Sequence, residues 1–478
     1  MAKHTRNDFG NAERVIAKFG DRIRFVRDEK EGRFTVYDDR KWEMFGADTT
    51  VRGFIWETLR YMVEDEAGEY DDTPAAKGLS ERETFEKWAN GQQSSGAING
   101  CFRALQAHPS VVVWPGEFDR DRFLVNFANG TMDTNTMEFA DHDAGDSQTR
   151  MLPVNYNPEA TCPRWDSFLE ENVPDQATRE YLQKVVGYTL TGRSSEKIMM
   201  WLYGPANTGK SIVVNTLAKM FGQDYGVTAN DGALRPKKGA GGPSNELHSM
   251  KGKRYVSASE TGHGQELDEA LVKRLTGGDT QNSRANYGFE TNWNPECVIW
   301  VASNQFPQPR GDDDAIWGRF RPVEFGVTYG PDNPRRDPRL AEKMEDELEG
   351  IAAWAVEGLR QYLAEGITTL PHTMTMAANR FRSEADSVRQ FMDDAVELGK
   401  VTIGLGKRCN RVELYKLYRG WAVDSGRKPY ANRRFYERLV AVPGIEGVTE
   451  KSNGVQYVTG ADLASTSWHG TPGWSGTR

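Results

Sequence analysis

Two spacings of apolar residues recur along this chain, and they predict two kinds of element. Continuous apolar runs at residues 111–114, 198–203 and 297–302 predict buried strands. Apolar residues three and four positions apart predict helices at residues 348–362 and 376–395. Each apolar run is shorter than the roughly 20 residues that a membrane-spanning helix requires. The two patterns together predict the α/β fold class.

A glycine-rich loop lies between one of these strands and a helical segment. The strand-like run covers residues 197–203, and helical spacing of apolar residues resumes at residues 212–220. Strand, loop and helix in this order are typical of a P-loop. The expected nucleotide-binding residues are Gly204, Pro205, Ala206, Asn207, Thr208, Gly209, Lys210 and Ser211.

The residue types of this loop suit the phosphates of ATP. Glycines let backbone N–H groups surround the β-phosphate at a helix N-terminus, where the helix dipole favours an anion. Lys210 is expected to neutralise β- and γ-phosphate oxygens, and Ser211 is expected to ligate Mg²⁺. ATP and Mg²⁺ are therefore the expected cofactors. The alternative is an ordinary glycine-rich turn before a helix.

Two polar residues follow the next predicted strands. Residues 253–259 predict a strand that leads to Glu260, whose carboxylate is expected to orient the attacking water and to reach Mg²⁺ directly or through water. Asn304 follows the strand at residues 297–302, and its amide is expected to bind the lytic water and the γ-phosphate. The alternatives are a surface glutamate and an ordinary turn asparagine.

An arginine is expected to act in trans at the end of this region. In the segment 314–321, the guanidinium of Arg319 is the first candidate for stabilising transition-state charge in a neighbouring subunit. Arg321 is the second candidate. A surface salt bridge is the alternative for either residue.

Together these motifs resemble a known family, the superfamily 3 helicases, in the branch of phage and plasmid primase-helicases and poxvirus nucleoside triphosphatases. The resemblance covers most of the chain. It is carried by Asn129-Gly130, residues 153–160, 162–165 and 187–192, the P-loop, Ser259-Glu260, residues 273–279 with Arg284, and residues 302–304 and 317–319. The primase module of fuller family members is not recognisable here.

The resemblance implies an AAA+-like ATPase core assembled as a ring, a hexamer, with DNA passing through its channel. It also implies a DNA-contacting hairpin, in which Arg284 suits a phosphate and Tyr287 or Phe289 suits stacking on a base. Aromatic residues that anchor the hairpin to the core are the alternative. Lys273 is expected to face the channel, unless its segment only caps a helix at Gly277-Gly278.

A basic stretch near the C-terminus contrasts with the net charge of −9 for the whole chain. Residues 400–438 carry a net charge of +8. Two predicted helices and a hairpin around Asn453-Gly454 follow the order of a winged helix, in which Arg433 and Arg434 meet DNA phosphates. A solvated basic face without a ligand is the alternative.

The chain of 478 residues exceeds what one hydrophobic core organises, so several domains are expected. The predicted segments are an N-terminal domain of unknown role at 1–118, a helicase-associated hairpin and helical collar at 119–193, the P-loop ATPase core at 194–335, a helical connector at 336–400, a winged-helix-like basic domain at 401–467 and a flexible tail at 468–478.

These expectations predict an ATP-dependent DNA helicase or translocase of phage or plasmid replication. It would form a homo-oligomeric ring and work with a separate primase or polymerase. Four cysteines without a paired short spacing, and no leader pattern, favour the cytoplasm and argue against a zinc site. The main alternative is an origin-binding or loader protein that ATP switches without strand separation. A P-loop small-molecule kinase is a second alternative.

Overall fold

The structure is a computed structural model of the chain. It describes residues 4–27, 32–74, 78–230, 233–235, 245–260, 266–284, 290–304, 308–309, 314–427, 429–449 and 455–464. Among these residues, every helix is too short or too polar to cross a lipid bilayer.

The N-terminal region folds around a core of its own. Its elements are α1 (Asp8–Phe19), β1 (Ile23–Val26), β2 (Arg33–Tyr37), β3 (Trp42–Glu43), α2 (Ala47–Glu64), α3 (Glu81–Gly91), α4 (Ser95–Ala107) and β4 (Val112–Val113). The strands form one sheet in the order β3-β2-β1-β4. Phe34 on β2 lies edge-on to Phe25 and Phe102, so aromatic packing joins the sheet to α4.

A hairpin and two helices lead to the central sheet. They are β5 (Leu124–Phe127), β6 (Gly130–Asp133), β7 (Phe139–Ala140), α5 (Pro163–Asn172) and α6 (Gln176–Leu190). β5 and β6 pair antiparallel and are joined by residues 128–129, which confirms the hairpin predicted there. α5 and α6 are the helices expected in the collar region at 119–193.

The central region contains a five-stranded parallel sheet. Its elements are β8 (Met199–Tyr203), α7 (Lys210–Tyr225), β9 (Gly226–Thr228), α8 (Asn245–Ser249), β10 (Tyr255–Glu260), β11 (Glu266–Leu267), α9 (Glu269–Gly277), β12 (Gln281–Arg284), β13 (Glu290–Trp293), β14 (Val298–Ser303), β15 (Gln308–Pro309) and β16 (Phe320–Glu324). The sheet order is β16-β8-β14-β10-β9, and every pairing in it is parallel. This sheet confirms the α/β class and is consistent with a P-loop core.

Both faces of this sheet are buried, because side chains of a strand alternate between them. On β8, Met200 and Leu202 enter the same core as the helices α5, α6 and α7. Met199 and Trp201 enter a second core with α9 on the opposite face. Helices therefore cover both faces, so the carboxyl edge of the sheet remains for a ligand.

Four helices and a small basic module follow the sheet. The elements are α10 (Leu340–Asp346), α11 (Leu348–Glu365), α12 (His372–Ala385), α13 (Ser387–Glu397), β17 (Val401–Asn410), α14 (Arg411–Asp424), α15 (Asn432–Leu439), β18 (Gly447–Val448) and β19 (Tyr457–Leu463). The last three strands pair antiparallel in the order β17-β19-β18. α13 shares a core with this module. Asn453 and Gly454 lie outside the described residues, and the winged-helix assignment stays a prediction.

The helical structure predicted at residues 376–395 is confirmed, but the structure divides the stretch into two helices. α12 ends before Asp386, and α13 begins after it. The Asp386 carboxylate accepts a hydrogen bond from the backbone N–H of Val388 at 2.9 Å. An aspartate N-cap of this kind starts a new helix, and apolar spacing alone does not register it.

Helices α6 and α11 cross so closely that two glycines are required at the crossing. A Cβ added to Gly187 would lie 2.0 Å from the backbone nitrogen of Leu359, and one added to Gly358 would lie 2.1 Å from the carbonyl oxygen of Gln183. Both neighbours are backbone atoms, so the helices would have to move apart.

We therefore expect Gly187→Ala to lower the free energy of unfolding by about 1–3 kcal/mol, the usual cost of overpacking a core. Thermal or urea unfolding measures this effect. Gly53→Ala on α2 is the matched control, since a Cβ there would meet no described atom within 4 Å. The control should leave stability unchanged or raise it slightly. Equal behaviour of the two variants would contradict the close helix crossing.

Candidate nucleotide site

The loop between β8 and α7 has the backbone conformation that its glycines permit. Gly204, Asn207 and Gly209 have φ angles of 142°, 60° and 84°. A Cβ on Gly204 would lie 2.1 Å from the carbonyl oxygen of Phe325, and one on Gly209 would lie 2.5 Å from the ring of Phe168. Glycine is therefore needed at both positions for the positive φ and for space.

The Lys210 ammonium is turned back onto this loop. Its Nζ donates to the carbonyl oxygens of Gly204 at 2.8 Å and Pro205 at 2.6 Å, and to Oγ1 of Thr208 at 3.0 Å. The Lys210 side chain is buried, and its desolvation lowers the pKa of the ammonium. Within the described part of the chain its bonding partners are neutral groups, and a buried cation of this kind suits an anionic ligand.

The start of α7 also suits a phosphate group. The helix begins at Lys210, and among the described residues no side chain caps it at Gly209. Helices α6 and α9, in contrast, are capped by the aspartates at 175 and 268. The first backbone N–H groups of α7 therefore keep their capacity to bind an anion, and a triphosphate fits the residues present.

A segment after β16 holds the loop in place. The backbone N–H of Tyr329 donates to the carbonyl oxygen of Asn207 at 2.8 Å. The Tyr329 hydroxyl donates to the Glu171 carboxylate at 3.0 Å and accepts from the Asn172 amide at 2.9 Å. Tyr329 thus positions the loop, a role that sequence reasoning missed. No local motif marks it, since its partners lie more than 120 residues away.

The ends of the neighbouring strands lie in one row with the loop. In the register of the sheet, Glu260 on β10 pairs with Ser303 on β14, and Ser303 pairs with Tyr203 on β8. Gly204 follows Tyr203 directly, and Asn304 follows Ser303 and is exposed. Neighbouring strands are about 4.8 Å apart. The backbones of the P-loop, Glu260 and Asn304 therefore meet at the carboxyl edge of one sheet, while the roles of the side chains stay predictions.

Arg319 lies at the opposite edge of the sheet. It ends a short 3₁₀ helix (Asp314–Arg319), and the next residue, Phe320, pairs with Met199 at the start of β8. Met199 and Tyr203 are four residue steps apart along β8, which corresponds to about 13 Å. The Arg319 guanidinium donates to Oγ1 of Thr276 at 3.0 Å and to the carbonyl oxygen of Ala315 at 2.8 Å. Arg319 is therefore remote from the P-loop edge of its own chain.

Arg321 lies within β16 and is bound to the collar. Its guanidinium donates to the hydroxyl of Tyr181 at 2.8 Å and to the carbonyl oxygen of Gly318 at 2.7 Å. Since Tyr181 is buried on α6, these bonds fix the Arg321 side chain against its own subunit. Arg319 stays the first candidate for action on another subunit.

β12 and β13, the strands on either side of the predicted DNA-contacting segment, pair antiparallel, and the contact with DNA stays a prediction. Arg284 ends β12 and is exposed. Tyr287 and Phe289 lie outside the described residues. Lys273 lies within α9, with its Nζ 3.9 Å from the Glu269 carboxylate. Gly278 caps the C-terminus of this helix in the left-handed conformation, with a φ of 76°. The capping role considered for the segment is therefore present, and it is compatible with a further contact made by Lys273.

Arg433 and Arg434 are neighbours in sequence but differ in environment. The Arg433 side chain is 92% exposed, and its Nε is 2.8 Å from the carboxylate of Glu437, one turn along α15. Arg434 is half-buried, and its guanidinium lies 5.8 Å from the centroid of the Tyr430 ring. The two arginines therefore face different surroundings.

Comparison with known proteins gives one family match and several relatives. Residues 12–174 match the family described as "D5 N terminal like". This match extends across the boundary predicted at residue 118 and includes the N-terminal domain, for which sequence patterns indicated no role.

The curated relatives are viral proteins. "Putative helicase L207/L206" of Acanthamoeba polyphaga mimivirus is 24% identical over 323 residues, which cover 63% of this chain and 33% of that protein. "Putative helicase 121R" of Invertebrate iridescent virus 3 is 24% identical over 216 residues, which cover 43% of this chain and 23% of that protein. The chain thus spans a third or less of the length of these relatives.

A solved structure, "The A form apo structure of NrS-1 C terminal region-CTR", has the same overall fold. It is 11% identical, with a TM-score of 0.50, and the likeness covers 95% of this chain and 99% of that one. At this identity the likeness concerns the fold alone. The family match and the viral relatives show that the chain is similar to D5-like proteins and to putative helicases of large DNA viruses.

Proposed function

We propose that this chain is the ATP-hydrolysing motor of a DNA helicase that acts in phage or plasmid replication. The observation that carries the proposal is the convergence at the carboxyl edge of the parallel sheet. At this edge the loop of residues 204–211 lies next to the end of β14, which leads directly into Asn304. The end of β10, which carries Glu260, lies on the other side of β14. An AAA+-like ATPase would use this edge to bind and hydrolyse ATP.

Each residue at this edge has a distinct task in the proposed reaction. Mg²⁺ would be held by Ser211, with Glu260 directly or through water, and when bound it would neutralise phosphate charge. Lys210 would leave its carbonyl partners and bind phosphate oxygens. Glu260 would orient and polarise the attacking water, and Asn304 would bind that water and the γ-phosphate.

The proposal requires an oligomer, because Arg319 and the P-loop occupy opposite edges of one subunit. A ring, here a homohexamer, would place Arg319 of one subunit beside the nucleotide of the next. In that position the guanidinium would stabilise charge that develops on the transferred phosphoryl group.

Mixing two inactive variants tests the trans arginine. We expect Arg319→Ala and Lys210→Ala proteins to be inactive alone and to recover activity when they are mixed, since some interfaces then combine an intact Lys210 with an intact Arg319. In a random equal mixture about a quarter of the interfaces are complete. ATP turnover across a series of mixing ratios measures the recovery.

Arg321→Ala mixed with Lys210→Ala is the comparison. Because Arg321 is bound to Tyr181 of its own chain, its replacement should cost stability more than turnover, and its mixtures should follow simple dilution. Recovery with Arg321→Ala and none with Arg319→Ala at any ratio would assign the trans role to Arg321.

We propose that DNA is contacted at two places. Lys273, Arg284 and Tyr287 would line the channel of the ring, and the basic C-terminal module, winged-helix-like with Arg433 and Arg434, would bind phosphates outside it. A separate primase or polymerase would use the separated strands, in the cytoplasm of a host cell.

A forked duplex distinguishes a motor from an ATP-dependent assembly switch. We expect the purified chain to separate the strands of a labelled fork in ATP and Mg²⁺, and Lys210→Ala protein to leave them paired. Binding of the fork with ATP hydrolysis but without strand separation would support a loader instead.

A further inference from the structure

A cleft with several arginines lies between the connector and the basic module. It has a volume of about 510 Å³ and is formed by α12, the start of α13, α15 and the turn after α15. Its charged lining residues are Arg382, Asp386, Arg389, Arg434, Glu437 and Arg438. Four guanidinium groups and two carboxylates give this concave surface a net positive charge. A cleft in which positive charges predominate concentrates the electrostatic potential and attracts anions.

The inner arginines of this cleft are held in place. Arg438 donates through Nη1 to the Asp386 carboxylate at 2.9 Å, and both side chains are largely buried. The guanidinium groups of Arg438 and Arg434 lie 5.3 and 5.8 Å from the centroid of the Tyr430 ring. Planar guanidinium groups held in this way lose less entropy when they bind phosphate oxygens. The rim arginines, Arg382 and Arg389, are exposed.

We propose that this cleft binds the phosphodiester backbone of single-stranded DNA, an inference that rests on the proposed function. The chemistry fits because arginine forks bind phosphate oxygens in pairs. The size fits because about 510 Å³ accommodates a short length of one phosphodiester backbone. Arg433 is not among the lining residues, and it pairs with Glu437 at the rim of the cleft.

The opposite side of α12 connects the cleft to the nucleotide loop. Phe381 on α12 is buried and lies edge-on to Tyr203, with ring centroids 4.7 Å apart. Tyr203 is the last residue of β8, directly before Gly204, and its hydroxyl donates to the Glu324 carboxylate at 2.9 Å. Single-stranded DNA bound in the cleft therefore acts on α12, the helix that packs against the base of the P-loop.

Salt-dependent binding of a labelled oligothymidylate to the full chain tests the cleft. We expect Arg389→Ala to weaken binding about 5-fold at 0.1 M salt, and the double variant Arg382→Ala/Arg389→Ala about 25-fold, because each lost phosphate contact lowers the salt slope by about 0.7 on a single strand. Stimulation of ATP hydrolysis by the oligonucleotide should fall in the same order. Turnover without DNA and the unfolding temperature should remain those of the wild type.

Arg419→Ala is the matched control, since it removes one exposed arginine from α14 that does not line the cleft. It should change the salt slope less than Arg389→Ala does. An unchanged slope in the double variant, a larger loss in Arg419→Ala, or equal binding of a blunt duplex would overturn the cleft. Wild-type protein that hydrolyses ATP but binds no oligonucleotide would overturn the cleft and the DNA motor together. An inactive wild type that still binds through the cleft would overturn the motor alone.

Discussion

Replacing Lys210 with alanine is expected to lower the rate of ATP hydrolysis by about 100-fold or more, the usual cost of removing a preorganised group that stabilises transferred phosphate charge. In the structure the Lys210 ammonium lies within the loop and is bonded to Gly204, Pro205 and Thr208. Its nearest partners among the described residues are neutral oxygens. A bound triphosphate would therefore give the ammonium a close anionic partner. Steady-state phosphate release measures the loss.

Lys219→Ala is the control for this prediction. Lys219 lies on the same helix, α7, about two and a half turns from Lys210, and it forms a partly exposed ion pair with Glu345. It should therefore retain turnover close to that of the wild type. Normal turnover in Lys210→Ala protein would refute the nucleotide site.

Replacing Glu260 with glutamine is expected to stop turnover, by about 100-fold or more, while ATP still binds. The amide keeps the shape of the side chain but cannot polarise the attacking water as a carboxylate does. Binding of a fluorescent nucleotide and single-turnover hydrolysis measure the two effects separately.

Glu324→Gln is the matched control for this second prediction. Glu324 ends β16 in the same row of the sheet, and its carboxylate accepts a hydrogen bond from Tyr203. Its loss should affect stability more than catalysis. If Glu260→Gln abolished nucleotide binding as well, Glu260 would be a structural residue and another group would have to activate the water.

Local patterns predicted the elements of the site well, because they depend on residues that are close in sequence. The strand, loop and helix around residues 204–211 are present, as are the strands that end at Glu260 and Ser303. The order of the strands depends on contacts between distant residues and has no local pattern. Only the structure shows that β14 lies between β8 and β10, which brings Asn304 next to the loop.

Residues that act through tertiary contacts could not be predicted from the sequence. Tyr329 reaches back over more than 120 residues to bind Asn207, and no spacing rule connects the two. Arg433 and Arg434 were predicted as one pair, but successive residues of a helix point about 100° apart. The position of α12 then decides that Arg434 lines the cleft while Arg433 stays on the exposed face.

The account depends on one geometrical claim, that Lys210, Glu260 and Asn304 act on the same triphosphate. A structure of the chain with Mg²⁺ and a non-hydrolysable ATP analogue tests it most directly. We expect the Lys210 ammonium, the Glu260 carboxylate and the Asn304 amide each to lie within about 4 Å of the γ-phosphate or of the water in line with it. An analogue held by the loop with Glu260 and Asn304 more than about 8 Å from the γ-phosphate, beyond one bridging water, would contradict the account.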